Sequence, residues 1–236
     1  VPLGDRKIAF ALEAARQAMA QSGAHDEAFS TAAGVSIGVG LELFTMPDLA
    51  ASRAPGFVMP SGLSERLGFM QTPSDICVHL LSKRHQLGAP PLVHVSACAA
   101  GTDAVGAAFR LVRSGRRRWM LAGGTDSMVN PLGVAGFCAL SATSVRNDDP
   151  ETASRPFDRT RDGFVMGEGA GMLVLERLAD ARARGADVLG EIVGYGSSLD
   201  AYKISDPHPE GRGALAAMSR ALADAQIDPS QLDAIN

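Results

Sequence analysis

The stretch HVSACAAGTDAVG, His94 to Gly106, places one thiol, Cys98, where an apolar, β-branched run gives way to alanines and a glycine. The run PLVHVSA (Pro91 to Ala97) reads as a strand. Ala99 to Ser114 reads as a helix, with Val105, Ala108, Phe109 and Val112 at helical spacing. That order brings Cys98 to the first turn of a helix. Backbone N–H groups without intrahelical acceptors and the helix dipole concentrate positive potential there. A thiolate, the reactive form of cysteine, is stabilised in such a setting. The same N–H groups can hold the oxyanion formed when a carbonyl is attacked. Ala97, Ala99, Ala100 and Gly101 leave room for a substrate. The chemistry that fits is nucleophilic: a cysteine that accepts an acyl group as a thioester. The local pattern fits a small buried hydrophobe as well, the ordinary fate of a free cysteine. Cys77 and Cys138 fall within apolar helix faces and read as that second kind.

Other chemistries fit poorly. Gly167, Gly169 and Gly171 form GxGxG ahead of a strand, not the GxGxxG that opens a helix in a dinucleotide site. Neither GxxxxGK[ST] nor GxSxG occurs. His79 and His85 do not share a helix face, and Cys77 and His79 point in different directions on theirs, so no metal site is expected. The three cysteines form no CxxC and read as reduced thiols of a cytoplasmic protein. A net charge of -4 argues against nucleic acid or an anionic membrane as the main partner. The basic cluster of Arg113 with Arg116 to Arg118 lies at a helix end, where it complements the dipole. No apolar run approaches the roughly 18 residues of a membrane span. The opening VPLGDRKIAF lacks both a signal pattern and a starting Met, which reads as a fragment boundary.

The elements that must position Cys98 alternate in period. Asp5 to Gln21 carries Ile8, Leu12, Ala15 and Met19 at helical spacing, with Gly23 as a stop. Ser74 is placed to cap a helix that runs to about Leu87. Pro131 to Leu140, Leu178 to Arg184 and Gly213 to Ala225 read as further helices. Strands are expected at Ala33 to Gly40, Pro91 to Ala97, Arg118 to Gly124, Ala170 to Arg177 and Val188 to Ser198, and LDAIN at the end starts another. Leu41 to Phe69 and Arg146 to Gly169 read as loops. Near-continuous apolar strands alternating with helices predict an α/β fold, a parallel or mixed sheet covered on both faces.

Four stretches carry a family resemblance: SACAAGTDAVGAA, MLAGGTDSM, PLGVAGFCALSATSVRNDDPETASRPFDRTRDGFVMGEGAGMLVLE and ARARGADVLGEIVGYGSSLDAY. Through them the chain resembles the β-ketoacyl synthases, most closely the type II 3-oxoacyl-acyl-carrier-protein synthases of fatty-acid and polyketide synthesis. The resemblance implies a thiolase-like fold. Residues 1–236 would form its N-terminal half, a mixed five-stranded sheet with helices on both faces, truncated at its start and without the C-terminal half. It implies that Cys98 is the catalytic nucleophile and that its N–H is one half of the oxyanion hole. Phe137 falls on a residue lining the acyl pocket, with plain core packing as the other reading. Arg155, Asp158, Arg161, Asp162 and Glu168 fall on a structural loop, as an internal network rather than catalytic groups.

The implied reaction is decarboxylative condensation of an acyl thioester with malonyl-acyl-carrier protein. The partners would be acyl-carrier protein and a second copy in a homodimer. No cofactor is expected, since the phosphopantetheine arm arrives with the substrate. The family's two histidines and lysine have no counterpart here: His25, His79, His85, His94 and His208 match none of those positions. The isolated chain is therefore expected not to condense. A non-catalytic ketosynthase-like partner is the alternative, against which the intact Cys98 weighs. Ala89 replaces a usual glycine, and Ser141 stands where some relatives carry a basic carrier-docking residue.

Overall fold

A computed structural model describes residues 5–23, 32–40, 53–56, 58, 73–203 and 206–236. The elements are α1 (Arg6–Ser22), β1 (Ala33–Val39), α2 (Pro73–Arg84), β2 (Leu92–His94), α3 (Ala100–Arg113), β3 (Trp119–Ser127), α4 (Pro131–Ala139), β4 (Glu168–Glu176), α5 (Leu178–Ala183) and α6 (Arg212–Ala225). Short 3-10 turns lie at Ala97–Ala99, Pro150–Thr152 and Pro229–Gln231. The sheet order is β2-β1-β3-β4. β1 runs parallel to β2 and β3, and β4 runs antiparallel to β3.

Side-chain alternation sorts the sheet's two faces. Trp119 and Leu121 join Val35, Ile37 and Val39 in a core with Ile8, Ala11, Ala15 and Met19 of α1 and Cys77, Val78 and Leu81 of α2. Met120 and Ala122, one residue out of phase, pack on Ala108 and Val112 of α3. The sheet is thus sandwiched, with α1 and α2 on one face and α3 on the other. β1 is buried along its whole length; its near-continuous apolar run is interrupted only by Ser36, whose hydroxyl is hydrogen-bonded. α1 starts at Asp5, whose carboxylate accepts from the Lys7 N–H at 2.9 Å, and ends at Gly23 in the left-handed conformation.

The mixed α/β architecture agrees with the sequence, but the strand count does not. Four strands are present among the described residues, not five. Val188 to Ser198 joins no ladder, because apolar alternation makes a strand only where a neighbouring strand supplies partners. LDAIN is likewise unpaired, and every one of its residues is exposed. α2 begins at Pro73, which places Ser74 inside the helix rather than at its cap. Cys77 is buried as expected, whereas Cys138 is exposed. The reason is that α4 is apolar all round and buries only Gly133, so no neighbour covers its Cys138 face. Almost all of the Leu41 to Phe69 region lies outside the described residues, as does His25.

Candidate active site

Cys98 sits at the centre of the 3-10 turn Ala97–Ala99, between the end of β2 and the start of α3, and its side chain is exposed. The turn's first hydrogen bond runs from Ala99 N–H to Ser96 O at 3.1 Å. The N–H groups of Ala97 and Cys98 precede that bond and have no acceptor within the turn. Ala97 holds φ at 50°, a left-handed conformation that a residue with a Cβ adopts at a cost of about 1–3 kcal/mol. That kink turns the chain from strand into helix within a few residues and leaves the thiol at the bend.

A cavity of about 330 Å³ opens beside the thiol. It is walled by the turn (Ala97, Cys98, Ala100, Gly101), by the end of β1 (Gly38 to Gly40), by Gly124 to Asp126 of β3 and by Gly169 to Gly171 of β4. It lies beyond the carboxyl ends of the parallel strands, the usual place for a ligand in an α/β sheet. Gly38 makes it possible. A Cβ there would stand 2.3 Å from the Ala100 carbonyl carbon, so only glycine lets the first turn of α3 settle on the end of β1.

His94, four residues before the thiol, is occupied elsewhere. Ser36 donates its single hydroxyl hydrogen to Ala104 O at 2.8 Å, so at the 3.0 Å contact the Nε2–H of His94 is the donor and Ser36 the acceptor. His94 therefore ties β2 to β1 and α3 rather than serving Cys98 as a base. His208 accepts from Glu210 N–H through Nδ1 at 3.1 Å, and its ring lies tilted against Tyr202 with centroids 5.0 Å apart. His85 is half-buried, and burial lowers its pKa. Neither lines the cavity.

Phe137 is half-buried and meets Phe164 edge-on, with ring centroids 5.4 Å apart. It does not line the cavity beside Cys98. Arg155 and Asp162 pair at 2.9 Å, and Arg155 also donates to Thr160 O at 2.7 Å. Asp158 accepts from the Thr160 N–H and hydroxyl, and Glu168 receives Arg6 at 2.7 Å and Val129 N–H at 2.9 Å. Arg155, Asp158 and Asp162 are thus linked within the loop, and Arg161 joins them by a bond to Asp158 O at 2.9 Å, whereas Glu168 is bonded instead to Arg6 and Val129 outside it. Among the described residues no group of histidine, cysteine and carboxylate side chains could hold a metal, and no helix is long and apolar enough to cross a membrane.

Sequence reasoning missed two parts of the site. Gly169 and Gly171 were visible as a glycine repeat, but only their pairing opposite Asp126 and Gly124 shows that they wall the cavity. Asp103 gave no signal of its own. Its carboxylate accepts from Ser96 Oγ at 2.5 Å, from Tyr195 Oη at 2.5 Å and from Ser197 Oγ at 3.3 Å, partners up to 94 positions away. These bonds, Ser96's first, hold its pKa below the usual carboxylate range.

This layered fold, with a thiol on a strained turn over a cavity at the strand ends, has close counterparts. Residues 4–181 match the family described as Beta-ketoacyl synthase, N-terminal domain, and residues 189–236 match Beta-ketoacyl synthase, C-terminal domain. The chain belongs to the β-ketoacyl synthase family. It is 40% identical over 243 residues to 3-oxoacyl-acyl-carrier-protein synthase 2 of Rhizobium meliloti, covering 98% of this chain and 55% of that one. A 142-residue stretch is 54% identical to the protein of the same name from Synechocystis, covering 60% of this chain and 34% of that one. The structure of a β-ketoacyl synthase from Burkholderia phymatum superimposes with a TM-score of 0.85 at 34% identity, over 96% of this chain and 55% of that one. A type II polyketide synthase acyl-carrier protein in complex with its ketosynthase, bound to the hexaketide, gives a TM-score of 0.84 at 29% identity, over 98% of this chain and 58% of that one. The chain spans about half the length of the relatives it matches end to end.

Proposed function

We propose that this chain carries the acyl-accepting half of a decarboxylative condensation in fatty-acid or polyketide synthesis, with Cys98 as the nucleophile. The observation that carries the reading is the exposed Cys98 on a kinked turn whose leading N–H groups have no acceptor within the turn, beside a glycine-walled cavity. Cys98 Sγ attacks the carbonyl carbon of an acyl thioester delivered by acyl-carrier protein. The Cys98 N–H donates to the oxygen as it becomes negative. The carbon–sulfur bond to the carrier breaks, the carrier thiol leaves with the proton, and the acyl group stays on Cys98. Loss of CO2 from malonyl-carrier protein then supplies the carbanion that attacks this thioester, forming a carbon–carbon bond and releasing Cys98.

Phe137 is the proposed acyl-chain contact, a role that rests on the family resemblance. A homodimer and a docked acyl-carrier protein are the proposed assembly. By the family resemblance, none of His25, His79, His85, His94 and His208 falls on the histidine pair that assists decarboxylation in the family. The 236-residue chain is therefore expected to take up acyl groups slowly and not to condense them. The test is to incubate it with an acyl-carrier thioester, alone and then with malonyl-carrier protein, and to read both products by mass. An acyl adduct without a β-ketoacyl product is expected; turnover of malonyl-carrier protein would contradict the division of labour.

A further inference from the structure

Asp103, Tyr195 and Ser96 form a chain of contacts that reaches the nucleophile's turn from the far end of the sequence. Ser96 stands at the N-cap of the Cys98 turn, where a serine ordinarily accepts a hydrogen bond from the turn's own amides. It makes no such bond here. Its hydroxyl points instead to Asp103, at 2.5 Å. The other carboxylate oxygen of Asp103 takes Tyr195 Oη, also at 2.5 Å.

Tyr195 is in turn fixed along one stripe of α3. Its ring lies on Gly106, where an added Cβ would be 2.2 Å from a ring carbon. The Arg110 guanidinium sits over the ring at 4.9 Å. The Tyr195 backbone N–H donates to Asp224 of α6 at 3.0 Å, and Asp224 holds Arg113 in a fork of 2.7 and 3.0 Å. Asp103, Gly106, Arg110 and Arg113 are spaced by three, four and three residues, one face of a helix.

We infer that Asp103, with Tyr195 and Ser96, is a positioning strut that sets the Cys98 turn. It draws the N-cap hydroxyl away from the turn's amides and fixes the turn to the segment matched by the family's C-terminal domain. The inference rests on the reading of Cys98 as the nucleophile. A charge-assisted hydrogen bond is short and directional, so it fixes geometry better than a neutral one. Loss of the tyrosine hydroxyl leaves the ring on Gly106 but frees the carboxylate to shift. Loss of the serine hydroxyl cuts the last link to the turn.

The test is alkylation of the full 236-residue chain by iodoacetamide, with each cysteine followed by peptide mass. Cys138, exposed, and Cys77, buried, are internal controls. Tyr195→Phe and Ser96→Ala are each expected to slow alkylation of Cys98 by about threefold or more, with Cys138 unchanged and Cys77 unlabelled. Ser96→Thr, which keeps the hydroxyl, is expected to restore the rate. Cys98 rates unchanged in both loss variants overturn the strut. So does new labelling of Cys77 in both, which would make these hydroxyls general supports of the fold. The nucleophile reading is tested separately by the parent protein, in which Cys98 should outpace Cys138; the strut is judged only by each variant's Cys98 rate against the parent's.

Discussion

At the scale of single residues, the site depends on what is missing as much as on the thiol. Gly38 and Gly106 each lie where a methyl group would overlap a neighbour, the first at the turn of α3 and the second at the Tyr195 ring. Gly38→Ala meets backbone rather than a flexible side chain, so the turn itself must move. Overpacking of this kind costs about 1–3 kcal/mol. A lowered urea midpoint, together with slower alkylation of Cys98, is the expected result; unchanged stability and reactivity would remove Gly38 from the account. The thiol and its small neighbours were legible in the sequence, since residue type and strand-to-helix order are local properties. The role of Asp103 was not, because its partner Tyr195 is 92 positions away and no local pattern joins them.

Among the elements, the loop between α4 and β4 is held by charge rather than by apolar burial. Arg155 bridges Thr160 O and Asp162, and Asp162 also accepts from Ser144 Oγ at 2.7 Å and Val145 N–H at 3.1 Å. Arg155→Ala leaves several of these acceptors without their donor, a loss of about 1–3 kcal/mol, read as faster proteolysis within residues 144–165. Asp149, Asp158 and Asp162 are each held below the ordinary carboxylate range, chiefly by bonds from Thr152, Thr160 and Ser144 respectively. The folded state therefore binds fewer protons than the unfolded chain in that range. Their contribution is complete above the ordinary carboxylate pKa of about 4 and is lost as pH falls through the lower folded values. The urea midpoint should accordingly fall from pH 5 to pH 3, and less steeply in Asp162→Asn. Helices and the central strands were readable because their period is written in adjacent residues. Val188 to Ser198 was misread because its alternation reports burial preference, while a ladder needs a neighbour.

For the whole molecule, the outer surface carries exposed apolar groups. Phe157 is 98% exposed and Leu199 90%, and no residue of α6 is buried. A cleft of about 930 Å³ between β4 and residues 186–193 is lined by Leu173, Leu175, Leu189 and Val193. Exposed apolar area of this kind marks contact surfaces. The chain should enhance the fluorescence of an apolar dye such as ANS and show concentration-dependent association in sedimentation; a monomer without dye enhancement would contradict this. The family and layered fold were legible from the sequence, whereas the unpaired segment after β4 and the open α6 became visible only when the chain was placed in three dimensions. The central claim is that the Cys98 sulfur is the atom that accepts the acyl group. Its most direct test is tandem mass spectrometry of the chain after incubation with an acyl-carrier thioester. The account predicts acyl mass on the peptide holding Cys98 and none in Cys98→Ala. The same adduct in Cys98→Ala, or one carried by Cys138 instead, would contradict it.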